Sequence, residues 1–444
     1  MDKLIVRIFL DHKIDHKIAA YTFTEIFRYI DTKFEFITNQ NNADIIYGVN
    51  DEFILKSKIY LKADMKFWEN YKKQNSLPQS PLKKINDIVY PYDQDIIAST
   101  FFLLSGYEEY LNLKRDKYQR FLFEFSLYKN DRIYTEPMVE KYRDYMITLL
   151  NQIGILCVRK NIWSDKEYAL FLSHDVDGIY KYRSSIKSLA KIFLKPSKFS
   201  FIEFLKSKYN QTNDPYFLGF DYLIEESKKY GFKSTFFFIS KIREKLDNFY
   251  NITDQVIVDI MKKIKFNKFE VGLHATIASY KNSLFLKEEK DLFNFNIDGV
   301  RQHYLMNNIC ETAQYQNKLF QYDSTLGFVD MIGFRRGTCL PFQVYDLDQE
   351  AILELYEIPL NAMDVTLKQY MRISEDTSYK LLQKMISEIK KYNGIFSFLW
   401  HPGNCSDEWS TWLSKVYEPT LKELHQNNVK SLTGIEIIKK IQLS

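Results

Sequence analysis

From about residue 165 onward, strand-like runs at 168–173, 234–239, 269–274, 299–305, 354–361 and 395–400 alternate with helix-like runs at about 215–230, 253–266, 284–296, 310–320 and 374–392. Alternation at this length predicts βα units, and hence a parallel sheet or barrel. Several boundaries are explicit. Asn213-Asp214-Pro215 opens one helix and Gly231 stops it, Thr253-Asp254 opens the next, and Asn393-Gly394 closes the last.

The first strand of this series runs into Ser173-His174-Asp175-Val176-Asp177. Residues two apart on a strand share a face. Asp175 and Asp177 therefore project together from its C-terminal end, where open α/β sheets and barrels carry their chemistry. One Asp at such a place ordinarily caps the next helix. Two on one face repel each other unless a cation or a shared proton compensates. Of the chain's seven histidines, His274, His303 and His401 also end strand-like runs. The pattern points to a metal-dependent hydrolase.

A chain of 444 residues has room for two or three domains. Residues 1–92 read as an N-terminal α/β domain, with strands at Leu4–Leu10, Asp44–Val49 and Ile59–Ala63 and a helix at Ile18–Ile30. Residues 93–164 read as a mostly helical connector, with helices at Ile96–Leu113 and Pro137–Leu150 and a short strand at Phe121–Ser126. Residues 165–444 form the main α/β part. The basic, aromatic insert Arg183–Tyr209 is expected to be a helical loop over one rim. His12 and His16, beside Asp11 and Asp15, read as a loop or helix start and not as a metal clip. With 61 basic and 57 acidic residues the net charge is only +4, which offers no electrostatic support for a nucleic-acid partner. The longest apolar run, Ile96–Leu104, is far short of the roughly 20 residues that span a bilayer. The charged N-terminus reads as a strand and not as a secretory leader, so a cytoplasmic location is expected. The four cysteines are scattered and imply neither a zinc ribbon nor a disulfide framework.

Taken in order, these segments resemble the polysaccharide deacetylase family, the carbohydrate esterases that share the NodB homology domain. Ser173–Asp177 resembles the first motif of that family and Lys233–Ser240 its second strand. Glu270-Val-Gly-Leu-His274 resembles the strand that ends in a metal histidine. Gly299-Val-Arg-Gln-His303 stands at the arginine motif, and Phe398-Leu-Trp-His401 resembles the closing hydrophobic-His motif. The resemblance spans about residues 165–435. The earlier part resembles an uncharacterised domain that precedes some deacetylase-like proteins, most recognisably at Phe101–Leu111. The resemblance implies a distorted (β/α) barrel behind a smaller α+β or α/β domain. It also implies one divalent ion, with zinc, cobalt, manganese, nickel and iron all suited to an Asp/His site. In the family the ion polarises an acetyl carbonyl and activates a water. Carried over, Asp175 is the general base, Asp177 and His274 are metal ligands, Arg301 pairs with the base, His401 is the general acid, and Asp364 orients His401.

One position departs from the family pattern. Where a second metal histidine is usual, four residues after the first, this chain has Ala278. His303 is the leading replacement, with Ser279 and His174 as alternatives. Arg335, in Gly333–Phe342, is a candidate substrate-binding residue. It is also an alternative partner for Asp175, or one of an ordinary surface pair. Cys339 is expected to be a buried structural thiol. Tyr322, Tyr345, Trp400 and Trp409 are not assigned to a sugar cleft, since most of the chain's aromatics belong to its core. The expected substrate is an N- or O-acetylated sugar of a bacterial polysaccharide or its precursor. The competing reading is a catalytically impaired carbohydrate-binding or regulatory protein on the same fold. A phosphohydrolase is disfavoured, because the His-Asp pairs of that class lie on helices. The oligomeric state is left open.

Overall fold

The computed structural model describes residues 5–55, 58–182, 198–247 and 250–444. Residues 183–197 of the basic insert lie outside it, while Lys198–Tyr209 forms the expected helix. No helix among the described residues is long and apolar enough to cross a membrane.

The N-terminal strands β1 (Ile5–Leu10), β2 (Lys33–Phe36), β3 (Ile45–Gly48) and β4 (Ile59–Lys62) form a parallel sheet in the order β2-β1-β3-β4. Strand β2 was not expected: its Lys-Phe-Glu-Phe alternation lasts only four residues and its edge is largely exposed. Helix His16–Phe27 begins where the Asp15 carboxylate accepts hydrogen bonds from the Lys17 and Ile18 amides. His16 thus belongs to the helix start, and His12 pairs with Asp11.

A hairpin follows, β5 (Lys83–Ile85) and β6 (Ile88–Tyr90). The helix expected to run to Leu113 breaks into Ile96–Leu104 and Tyr107–Leu111. Gly106 separates them in the left-handed region (φ 71°), where a β-carbon would collide with the Arg336 guanidinium. The strand expected at Phe121–Ser126 is instead a 3₁₀ turn over Phe123–Phe125. The Asp330 carboxylate accepts the Phe123 and Glu124 amides at 2.9 and 3.1 Å, which removes them from any ladder. Helix Met138–Gln152 and helix Ile96–Leu104 share one buried cluster with β1, β3 and helix His16–Phe27, and that cluster continues into Phe328, Phe342 and Tyr345 of the main part.

The main part contributes β7 (Ala169–Val176), β8 (Ser234–Phe238), β9 (Glu270–Ala275), β10 (Gly299–Gln302), β11 (Tyr322–Asp323), β12 (Phe342–Asp346), β13 (Ala351–Glu357), β14 (Ala362–Met363), β15 (Ile395–Leu399) and β16 (Lys430–Ser431). Their order is β12-β13-β11-β10-β9-β8-β7-β15-β14, with β16 also beside β7. Every pairing is parallel except β12 with β13. Helices Pro215–Lys229, Gln255–Phe266, Ser283–Asp291, Thr312–Asn317 and Glu375–Lys391 occupy the intervals the alternation predicts. The observed architecture is thus mixed α/β. Among the described residues the sheet path is open from β12 to β14, so closure into the expected barrel is not established.

The two parts are joined by a buried ion cluster. Glu109 accepts from Arg335 Nε and Nη2 at 2.9 and 2.8 Å and from Arg336 Nη1 at 2.7 Å. Burial alone would raise the Glu109 carboxyl, but the two arginines outweigh it and bring it down to about 2. Removing one partner of a buried pair strands the rest. Glu109→Ala should therefore cost about 3–5 kcal/mol in denaturant unfolding. Since the folded value lies below the ordinary 4.5, the stabilisation from this cluster is present above that pH and fades as pH falls toward 2. The wild-type and mutant stability curves should converge over that range.

Candidate metal centre

Four parallel strands bring their C-terminal ends to one cleft of about 630 Å³. Strand β7 delivers Asp175 and Asp177, β9 delivers His274, the turn after β10 delivers His303, and the end of β15 delivers His401.

Among the described residues, Asp177, His274 and His303 each aim one ligand atom into a group that lies within 4.8 Å. Asp177 Oδ1 stands 3.3 Å from His274 Nε2 and 3.5 Å from His303 Nε2. Ligands about 2.1 Å from a tetrahedral ion are about 3.4 Å apart, so the spacing fits a divalent cation. The far side of each ring is already engaged. His274 Nδ1 lies 2.9 Å from the Arg301 carbonyl oxygen, to which it donates, leaving the Nε2 lone pair toward Asp177. His303 Nδ1 lies 3.5 Å from Asp247 Oδ1. Asp247 in turn accepts the amides of Arg243, Glu244 and Ile277. Each ring thus turns its Nε2 toward Asp177, and the donor set suits the implied ion.

The alternatives to His303 face elsewhere. His174 Nδ1 meets the Trp400 carbonyl at 2.7 Å and its ring packs on Phe236; burial pushes its pKa down to about 4. Ser279 donates to the Thr276 carbonyl and to Glu289.

Asp175 lies beside the ligand group, its Oδ2 3.7 Å from His274 Nε2. Its Oδ1 accepts from Arg301 Nη1 at 2.9 Å. Burial alone would raise this carboxyl; the Arg301 charge, followed by His274 and His401, overrides burial and holds it below its ordinary value. Across the cleft, His401 Nδ1 and backbone amide both meet Asp364, at 2.7 and 2.8 Å, and Asn404 Nδ2 donates to the same carboxylate. Burial would lower the His401 pKa, but Asp364 and then Asp177 and Asp175 lift it to about 10. Asp177 is half-exposed to the cleft, and its carboxyl is likewise held down against burial by His274, His401 and His303.

Arg335 is not in this cleft. It is buried on Glu109 and on the Gly327 carbonyl, which corrects both its expected place at a substrate loop and its alternative pairing with Asp175. Cys339 is buried, and burial raises its thiol pKa well above the ordinary value. Tyr322, Tyr345, Trp400 and Trp409 are buried in the core. Asp247 gave no sequence signal, since it lies in an aperiodic loop. Asn404 had one, a polar side chain three residues after His401.

A model of a family of unknown function, DUF7033, matches residues 8–155. No curated protein matches the chain. Among solved structures, a probable polysaccharide deacetylase from Pseudomonas aeruginosa PAO1 is similar, with 11% identity and a TM-score of 0.42 over 63% of this chain and 93% of that one. The PuuE allantoinase shows 9% identity and a TM-score of 0.41 over 63% and 91%. The chitin deacetylase of Colletotrichum lindemuthianum shows 14% and 0.32 over 62% and 88%. At such identities and scores these likenesses decide neither family nor activity.

Purified protein should hold about one divalent ion per chain by elemental mass spectrometry. Asp177→Ala, His274→Ala and His303→Ala should each lose it, and Ser279→Ala should keep it. Asp247→Ala should weaken affinity about 10–100-fold through the loosened His303 ring. Retention of full occupancy in His303→Ala would remove His303 from the site.

Proposed function

We propose that this cleft hydrolyses an acetyl group from a sugar, most simply the N-acetyl group of an amino sugar in a bacterial polysaccharide or its precursor. The observation that carries the reading is the placement of a clamped carboxylate, Asp175, and a carboxylate-backed imidazole, His401, on either side of one Asp-His-His ligand group. A divalent ion at Asp177, His274 and His303 supplies Lewis acidity toward an acyl oxygen and a water acidified to near neutrality. Zinc suits this donor set, as do cobalt, manganese, nickel and iron.

Asp175 acts as the base. Arg301 keeps it ionised, and it takes the proton of the attacking water as the new carbon–oxygen bond forms. His401 acts as the acid. Its Nδ1–H is fixed on Asp364, so Nε2 carries the proton that passes to the sugar nitrogen as the carbon–nitrogen bond breaks. The products are acetate and a free amine. The sequence resemblance to polysaccharide deacetylases supports the same assignment. On this reading His303 stands in for the ligand missing at Ala278, the departure behind the impaired, binding-only alternative.

The test is acetate release from N-acetylated glycans by the metal-loaded protein. Asp175→Asn should lower kcat about 10²–10⁴-fold with the ion retained. A protonated acid is required, so activity holds below the His401 pKa and falls above it. Asp364→Asn removes the group that raises that pKa, so the alkaline limb should move down by about 1–3 units. An unshifted limb would take the acid role away from His401.

A further inference from the structure

The aromatic rings that face the cleft include Tyr118, Tyr304 and Tyr370, set around Arg120. Tyr118 and Arg120 belong to the earlier part of the chain, inside the span matched by the family of unknown function. The ligand and acid–base groups of the same cleft all lie beyond residue 170.

The loop that brings them there is rigidly built. The Asp116 carboxylate accepts the backbone amides of Tyr118 and Arg120, both at 2.9 Å, and Arg120 Nε and Nη2 at 3.0 and 2.8 Å. Beyond the loop, Arg120 Nη1 donates to the Tyr304 carbonyl at 3.3 Å and Nη2 to the Tyr370 hydroxyl at 3.2 Å. Its guanidinium carbon lies 4.9, 5.9 and 5.7 Å from the ring centres of Tyr118, Tyr304 and Tyr370. The Tyr118 and Tyr304 rings are 5.3 Å apart. Tyr304 follows His303 directly and sits with Leu305 in the left-handed region, φ 60° and 53°. Bulky residues are strained there and persist only where their surroundings hold them.

We propose that Tyr118, Arg120, Tyr304 and Tyr370 form a binding wall for an uncharged pyranose ring, so that the N-terminal part completes the substrate site. The proposal rests on the deacetylase reading. Asp116 offsets the charge of Arg120, and the Tyr304 carbonyl and Tyr370 hydroxyl take two more of its N–H groups. These four residues therefore carry no unpaired charge for an anion. What stays open are the half-buried rings of Tyr118 and Tyr304 and the Tyr370 ring, 39% exposed. Aromatic faces take the C–H face of a sugar, and phenol hydroxyls serve its rim.

The experiment uses the metal-loaded full chain and a panel of neutral N-acetylhexosamine oligosaccharides, with uronate-containing counterparts. Calorimetric binding and steady-state kinetics are measured for wild type, Tyr118→Ala and Tyr118→Phe. Tyr118→Ala should raise Kd and KM about five- to tenfold, with kcat within about twofold and the ion retained, and Tyr118→Phe, which keeps the ring face and loses only the hydroxyl, should raise them less. Active protein whose KM is unchanged in Tyr118→Ala overturns the wall alone, as does tighter binding of the uronate counterparts. A loss of kcat and of the ion with KM unchanged would also overturn it, by reducing Tyr118 to a support for the His303 turn. A wild type that neither binds nor deacetylates any sugar of the panel, neutral or uronate-containing, overturns the wall and the deacetylase reading together.

Discussion

The site depends on the Arg301 guanidinium, which is wholly buried. It donates to Ser173 Oγ and Asp175 on β7 and to the carbonyl and hydroxyl oxygens of Ser324 just past β11, and it lies 4.6 Å from the Phe237 ring centre. A buried charge is tolerable only when paired and hydrogen-bonded, so Arg301 and Asp175 stand or fall together. Lysine would keep the charge but lose the planar fork that reaches both strands at once. The backbone carbonyl of Arg301 accepts from His274 Nδ1. One residue thus sets the ionisation of the candidate base and the tautomer of a candidate ligand.

Around that clamp the charges do not balance. Asp175, Asp177 and Asp364 face one another through three imidazoles, with Arg301 the fixed cation bonded to this group. The consequence is visible in the histidines: His274 is raised against its own burial, and His401 is lifted to about 10. Both shifts run in the direction that adds positive charge among the carboxylates. A divalent ion on Asp177, His274 and His303 would compete with protons for the two Nε2 atoms, so uptake should weaken in acid.

What was legible in the sequence was local. The pair Asp175 and Asp177 follows from strand alternation, and helix Pro215–Lys229 from its cap at Asp214. His274 and His401 follow from ending apolar runs. His303 lies within a strand-like run that the sequence extends to residue 305. Strand β10 stops at Gln302, and a strained turn, not strand alternation, aims the ring at Asp177. What stayed hidden was non-local. Nothing near Arg335 announces that Glu109, 226 residues earlier, will bury it. Nothing near Asp116 or Arg120 announces a role beside His303. Edge strand β2 carries an apolar face of only Phe34 and Phe36, too short to stand out, and the segment Phe121–Ser126 loses its amides to an aspartate more than two hundred residues away. Aromatic content gave no guide to the cleft either: Tyr118, Tyr304 and Tyr370 line it from outside the strands, while strand-end Trp400 is core, as expected.

The change at position 278 and the docked N-terminal part have a common physical logic. A histidine four residues after His274 would come from the loop that follows β9. Taking the third ligand from the turn after β10 requires that turn to bend sharply within one residue of the strand, and the cost appears as two consecutive bulky residues at positive φ. Strain of about 1–3 kcal/mol per residue must be offset by contacts the turn cannot make with itself. Asp247 steadies the His303 ring from one side, and Arg120 holds the Tyr304 carbonyl from the other. Arg120 can do this only because Asp116 shapes its loop and because Glu109, locked on Arg335 and Arg336, fixes the helix that precedes that loop. On the proposed reading, the ligand lost from the loop after β9 is replaced by one whose position depends on a segment more than 180 residues earlier, which gives the first 150 residues a physical reason to stay attached to the cleft.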